Sequence, residues 1–233
     1  MVHRFGGTTA LFLSSLALLT SLTLGGTFER AFATPHITDF TLGMNKEDLG
    51  SREATVCDEE FPYILCGEVR FGGKSWQGSF HINDGALDSI TLTAPLADAS
   101  LEAAMQGFKE SPYVLYAALS EDLEFDFIER AAHGESAESI DTAFAAFLGA
   151  LKNGPRDFVA YFYTEPLLYD AAIKAEKTGG SVESPGVACC LALGKDGVSV
   201  FITSWTQMHD ILRKYQNEGK SVRAKKDSGS VFR

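Results

Sequence analysis

The stretch KSWQGSFHINDGALDSITLTA, residues 74–94, sets the reading of the whole chain. Trp76, Gly78, Phe80 and Ile82 alternate with Ser75, Gln77, Ser79 and His81. That period of two puts apolar side chains on one face of a strand and polar ones on the other. Asn83, Asp84 and Gly85 are residue types that tolerate a tight turn. The return strand, Ala86 to Ala94, places Ile90 and Leu92 on one face and Thr91 and Thr93 on the other. Pro95 then stops the pairing, because it has no N–H to donate. Upstream, Cys66 to Gly72 reads as a third strand, which makes an antiparallel meander. Trp76 and Phe80 are therefore expected in the core rather than at a partner surface.

Helices flank the meander. Thr41 to Leu49 (TLGMNKEDL) reads as a short helix starting near Asn45, and Ser100 is expected to cap a second one. In the latter, Leu101, Ala104, Met105 and Phe108 fall at i, i+3, i+4 and i+7, one helical stripe. Leu42, Gly43, Met44, Asn45 and Lys46 precede the first helix, and Ile82, Asn83, Asp84, Gly85, Ala86, Leu87 and Asp88 lead into a strand with Ile90. In these residues the segment 38–116 resembles the small exported domains with the outer-membrane-assembly lipoprotein and β-lactamase-inhibitor-protein fold. The resemblance covers about a third of the chain and implies a protein-interaction module without catalysis. The chain departs from the lipoprotein members in lacking their lipid-attachment Cys, and no functional residue is carried over.

Downstream, Glu121 to Asp141 is rich in carboxylates with only Arg130 in opposition. Leu123, Phe125 and Phe127 alternate with Asp122, Glu124 and Asp126, so the acids read as the wet face of an edge strand. Ser139 is expected to cap a helix with the stripe Ile140, Phe144, Phe147, Leu148 and Leu151, ended by Gly154 and Pro155. Asp157 to Tyr163 reads as an interior strand. A helix opens at Thr164, Glu165 and Pro166 and ends at Gly179 and Gly180. Val187 to Leu193 and Val198 to Thr203 make a hairpin, and a last helix buries Trp205, Met208, Ile211, Leu212 and Tyr215. The expected fold class is α+β: an antiparallel lobe over 34–118, then an α/β lobe over 119–218 in the order strand, helix, strand, helix, hairpin, helix. That order is similar to thioredoxin-like domains. Their dithiol belongs between the first strand and first helix, where Ala131 to Ala137 holds no Cys, and redox exchange is not expected.

The two ends of the chain differ from its body. Met1 to Ala33 has Arg4, an apolar run from Ala10 to Leu24 and an A-x-A site at Ala31, Phe32 and Ala33. This reads as an export signal cleaved after Ala33, which would leave a periplasmic or extracellular protein without stable membrane insertion. An uncleaved anchor is the alternative, since the run is at the lower edge of a bilayer span. A lipoprotein is not, because the nearest Cys is Cys57. Removing Arg4, Arg30 and Glu29 leaves 18 basic and 30 acidic residues, a net charge of −12, so nucleic acid is not an expected partner. Arg213, Lys214, Lys220, Arg223, Lys225, Lys226 and Arg233 gather at the other end, and 219–233 reads as a flexible basic tail.

Cysteines acquire meaning from that compartment. Cys57 and Cys66 bracket Asp58 to Leu65, with Pro62 turning the chain, and are expected to form a structural disulfide worth about 2 to 3 kcal/mol in the loop-entropy model. Cys189 and Cys190 are adjacent in a strand, point to opposite faces and read as small apolar core residues.

Sequence spacing points to no reaction. His36, His81, His133 and His209 are isolated, without metal-ligand spacing. His133 with Glu135 and His209 with Asp210 read as surface pairs. Neither a G-x-S-x-G elbow nor a phosphate-binding glycine loop occurs. No catalytic residue is assigned, and no cofactor or metal is expected. The leading expectation is an exported non-catalytic module that binds an envelope protein. The alternatives are an enzyme whose site is assembled from distant residues, and a carrier of a small ligand or metal.

Overall fold

Three strands of the expected meander open the sheet: β2 (Ile64–Phe71), β3 (Lys74–Asn83) and β4 (Ala86–Ala94), preceded by the edge strand β1 (Thr55–Val56). The structure is a computed structural model, and residues 35–121, 123–153, 158–182, 186–195 and 197–229 are described. The expected signal Met1–Ala33 and the helix end at Gly154 and Pro155 lie outside the described residues. Asp84 and Gly85 both have positive φ, 49° and 80°, as a two-residue type I′ connection requires. Gly72 and Gly73, at 56° and 76°, join β2 to β3 in the same way.

Downstream come β5 (Val114–Ser120), β6 (Glu124–Asp126), β7 (Phe158–Thr164), β8 (Val187–Gly194) and β9 (Gly197–Ser204). All nine form one sheet in the order β1-β2-β3-β4-β9-β8-β7-β5-β6, with every neighbouring pair antiparallel. The fold is α+β. The segments 34–118 and 119–218 contribute to one sheet within one compact unit, 34–233: they meet where β4 pairs with β9, and β5, which crosses the boundary, pairs with both β7 and β6.

A 3₁₀ turn (Ile37–Asp39) and α1 (Lys46–Gly50) come first, and the Asn45 side chain caps α1 by accepting from the Asp48 N–H at 2.8 Å. α2 (Asp98–Glu110) starts earlier than its sequence suggests. Ser100 is not its cap but lies inside it, buried, and accepts from Lys74 Nζ at 2.9 Å. The buried side of α2 is Ser100, Ala103, Ala104, Gly107 and Phe108, while Met105 is exposed. α3 (Phe127–Ala132) takes Phe127 out of the expected strand, and the Asp126 side chain caps it by accepting from the Glu129 N–H at 2.9 Å. α4 (Ala137–Asn153) and α5 (Pro166–Thr178) follow. The Gly179 C-cap of α5 is left-handed, at φ 66°. α6 (Trp205–Gly229) continues through most of the expected flexible tail, whose Lys, Arg and Ala residues are good helix formers.

The sheet curls around α2. On a flat sheet β2 and β7 would stand five spacings apart, roughly 24 Å. Yet the Phe108 ring of α2 lies 5.4 Å from that of Phe71 on β2 and stacks at 4.1 Å on Tyr163 of β7. Two glycines permit this closeness. A Cβ on Gly107 would sit 2.4 Å from the Phe71 ring, and one on Gly72 would sit 1.7 Å from the Ala103 carbonyl oxygen. The concave face holds the larger core, including Trp76, Phe80, Ile90, Leu92, Leu191 and Val200. α4 extends it by packing Ile140, Phe147 and Leu151 on Ala118 and Val159.

The convex face divides in two. Over β5, β7 and β8 it is apolar (Tyr116, Ala160, Phe162, Ala188 and Cys190) and is covered by Ile128, Leu168, Trp205, Met208 and Leu212 from α3, α5 and α6. Over β2, β3 and β4 it presents Glu68, Arg70, Ser75, Gln77, Ser79, His81, Thr91 and Thr93, all half-buried or exposed. Register binds this set into one array: Glu68 faces Gln77, Arg70 faces Ser75, and Ser79 faces Thr91.

Candidate functional site

One candidate site stands at the β1 edge. Cys57 and Cys66 are bonded, with Cα atoms 5.2 Å apart. The disulfide closes the loop CDEEFPYILC, whose backbone is further held by Cys57 N–H donating to the Ile64 carbonyl at 3.2 Å and Ile82 N–H donating to the Tyr63 carbonyl at 2.8 Å. Lys46 Nζ reaches from α1 to the Pro62 carbonyl at 3.0 Å. On this fixed frame Phe61 and Tyr63 are 43% and 49% exposed, with their rings edge to face at 5.9 Å. Val56 beside them is 44% exposed, and Asp58, Glu59 and Glu60 make the approach acidic. Ordered, solvent-facing aromatic rings need little further ordering on contact, which is the economy of an interface anchor.

The second site lies inside the curl. A cavity of about 380 Å³ opens between residues 36–42, the C-terminal end of α2 and the concave face. Its depth is apolar: Phe71, Ile90, Phe108, Val200 and Ile202 line it and are buried. Exposed polar residues, His36, Thr38, Thr41 and Glu110, lie at its mouth. The Cys189 thiol is part of the wall and lies beside the Tyr113 side chain. Burial pushes both ionisations far up, so thiol and phenol stay neutral at physiological pH.

Cys190 points to the opposite core, as adjacent strand positions require, and burial pushes its thiol up to about 12. Both thiols are free and buried.

The histidine pairings read from sequence require correction. The His133 ring bonds the Glu129 carbonyl at 2.8 Å, one turn back, while Glu135 pairs with Arg130 at 3.0 Å. His209 is half-buried rather than a surface group. Its ring lies 5.4 Å from Trp205, and burial, followed by the nearby Arg213 cation, lowers its pKa against the opposing pull of Asp126, Asp210 and Glu176. Two of those acids have structural tasks: Asp126 caps α3, and Glu176 meets Arg213 at 3.8 Å. Glu124, expected on a wet edge, bonds Gln216 of α6. Tyr116 occupies the register shift in β5 between Leu115 and Ala117, and its buried hydroxyl has no partner among the described residues. Among the described residues no three His, Cys, Asp or Glu side chains converge as metal ligands, and no helix is long and apolar enough to cross a membrane.

The cavity could not be found by spacing, because its walls come from residues 36 through 202. The aromatic pair had a signal in the short Cys–Cys spacing around Phe61 and Tyr63, although sequence alone does not show which way the rings face. Set beside known protein families, curated proteins and solved structures, the chain matches none.

Proposed function

We propose that this chain is an exported, non-catalytic interaction module of the cell envelope, which holds a partner protein through the disulfide-clamped loop of residues 57–66. The carrying observation is the exposure of Phe61 and Tyr63 on a loop closed by a disulfide and an internal backbone hydrogen bond, and tied by two more to Lys46 and Ile82. Export is supported by the apolar leader and its A-x-A site, and by a disulfide that the reducing cytosol disfavours. The acidic run Asp58, Glu59 and Glu60 specifies the partner chemistry: an apolar socket with Lys or Arg at its rim.

Affinity capture from the envelope fraction tests this reading, with the unaltered protein and a Phe61→Ala/Tyr63→Ala variant compared at matched folding. A stoichiometric envelope protein should be retained by the first and lost at least tenfold by the second. Recovery of the same proteins by both would overturn the assignment to the loop.

A further inference from the structure

The concave cavity is independent of the disulfide loop and calls for a different occupant. Close-packed interiors seldom hold voids larger than a water molecule, whereas this space is about 380 Å³, within the range of ligand pockets. Its polar groups are sorted by depth: the His36 ring, hydroxyls and one carboxylate at the mouth, and below them carbon with a neutral thiol and the neutral Tyr113 phenol. A ligand that fits must be divided in the same way.

Charge and volume narrow the ligand. Among the described lining residues Glu110 is the one carboxylate and His36 the one basic side chain, with neither Lys nor Arg present. An anionic head would therefore meet a carboxylate without a paired cation, while Thr41 offers a hydroxyl to an uncharged one, and Thr38 and Ser111, bonded to the His36 ring at 2.9 Å and the Phe108 carbonyl at 2.8 Å, offer oxygen lone pairs. At roughly 30 Å³ for a water-sized group, the cavity holds about a dozen methylenes. We infer that the cavity binds an uncharged single-chain amphiphile, a medium-chain acylglycerol or alcohol, with its hydrocarbon chain against Phe71, Phe108 and Ile202 and its hydroxyl head between Thr38, Thr41 and Ser111.

The probe is 1-monolauroylglycerol, titrated below its critical micelle concentration into protein purified from cells expressing the full chain. Saturable binding is expected, with intermolecular NOEs from the lauroyl methylenes to the methyls of Ile90, Val200 and Ile202. At pH 8 laurate should bind at least tenfold more weakly, and Glu110→Gln should narrow that gap. Ile202→Trp fills the cavity and should cut binding at least tenfold with the circular dichroism retained. Should that variant fail to fold, the NOEs on the unaltered protein decide alone. Absence of saturable binding, NOEs confined to Phe61 and Tyr63, or laurate binding as tightly as the glyceride would overturn the inference.

Discussion

The convex face is one surface with two histories. Over β7 and β8 its outward positions are Ala160, Phe162, Ala188 and Cys190, and α5 and α6 close over them. Over β2 and β3 the equivalent outward positions are Glu68, Arg70, Ser75, Gln77 and Ser79, and they remain half-buried or exposed. The inner face is apolar throughout, so the alternation that builds the sheet is strict only in the first half. The difference teaches that a second apolar core and an open polar face occupy opposite ends of one sheet. The covered half carries a second core. The open half ends at the disulfide loop with Phe61 and Tyr63.

Substitutions can break this comparison, and the largest effect belongs to the covered half. Phe162→Ala should cost about 3 to 5 kcal/mol in urea denaturation, as expected for a large buried aromatic side chain. Ser79→Ala on the open half should stay within about 0.5 kcal/mol, the range of surface changes. Equal costs would erase the division. Gly72→Ala, which needs a left-handed alanine and meets the Ala103 carbonyl, should cost about 3 kcal/mol. Gly134, with φ 84° and nothing within 4 Å of a Cβ, should lose about 1 to 2 kcal/mol as alanine, from the backbone alone.

Removing the staple tests the open half. Replacing Cys57 and Cys66 together by Ser should cost about 2 to 3 kcal/mol by the loop-entropy model. It should also loosen Phe61 and Tyr63, seen as faster amide exchange over 57–66 with little change over β7 and β8. A pH series probes the covered half more gently. The folded-state pKa of His209 is lowered, so its unfolded form takes up a proton first as pH falls. Stability should therefore drop as pH passes below the unfolded value of about 6.5. His209→Gln should flatten that slope between pH 7.5 and 5.5 when both proteins are melted thermally.

Legibility followed the same division. The meander from Ile64 to Ala94 was readable because Trp76, Phe80 and their neighbours alternate strictly with polar residues. β5 escaped notice because VLYAALS is apolar on both faces and bulged at Tyr116, which removes the period of two. The start of α2 was misplaced because Ala97 offers no side-chain cap, while Ser100, which has the right chemistry, is used to hold Lys74. The disulfide followed from its nine-residue separation. The opposed burial of Cys189 and Cys190 followed from their adjacency. His209 was misread because the residue that shelters it is Trp205, one helical turn away, and not Asp210. The cavity depends on the curl of the sheet around α2, a property of Phe71, Phe108 and Tyr163 together that no local pattern carries.

Partner contact is proposed to belong to the open end of the sheet. Site-specific photo-crosslinking in living cells tests it directly, with the crosslinking residue placed at Tyr63 in one strain and at Leu167 in another. Leu167 is the more exposed of the two, 83% against 49%, but projects from α5 on the covered half. A discrete crosslinked species from Tyr63, absent from Leu167, is the predicted result. Equal crosslinking from both, or from Leu167 alone, would contradict the account.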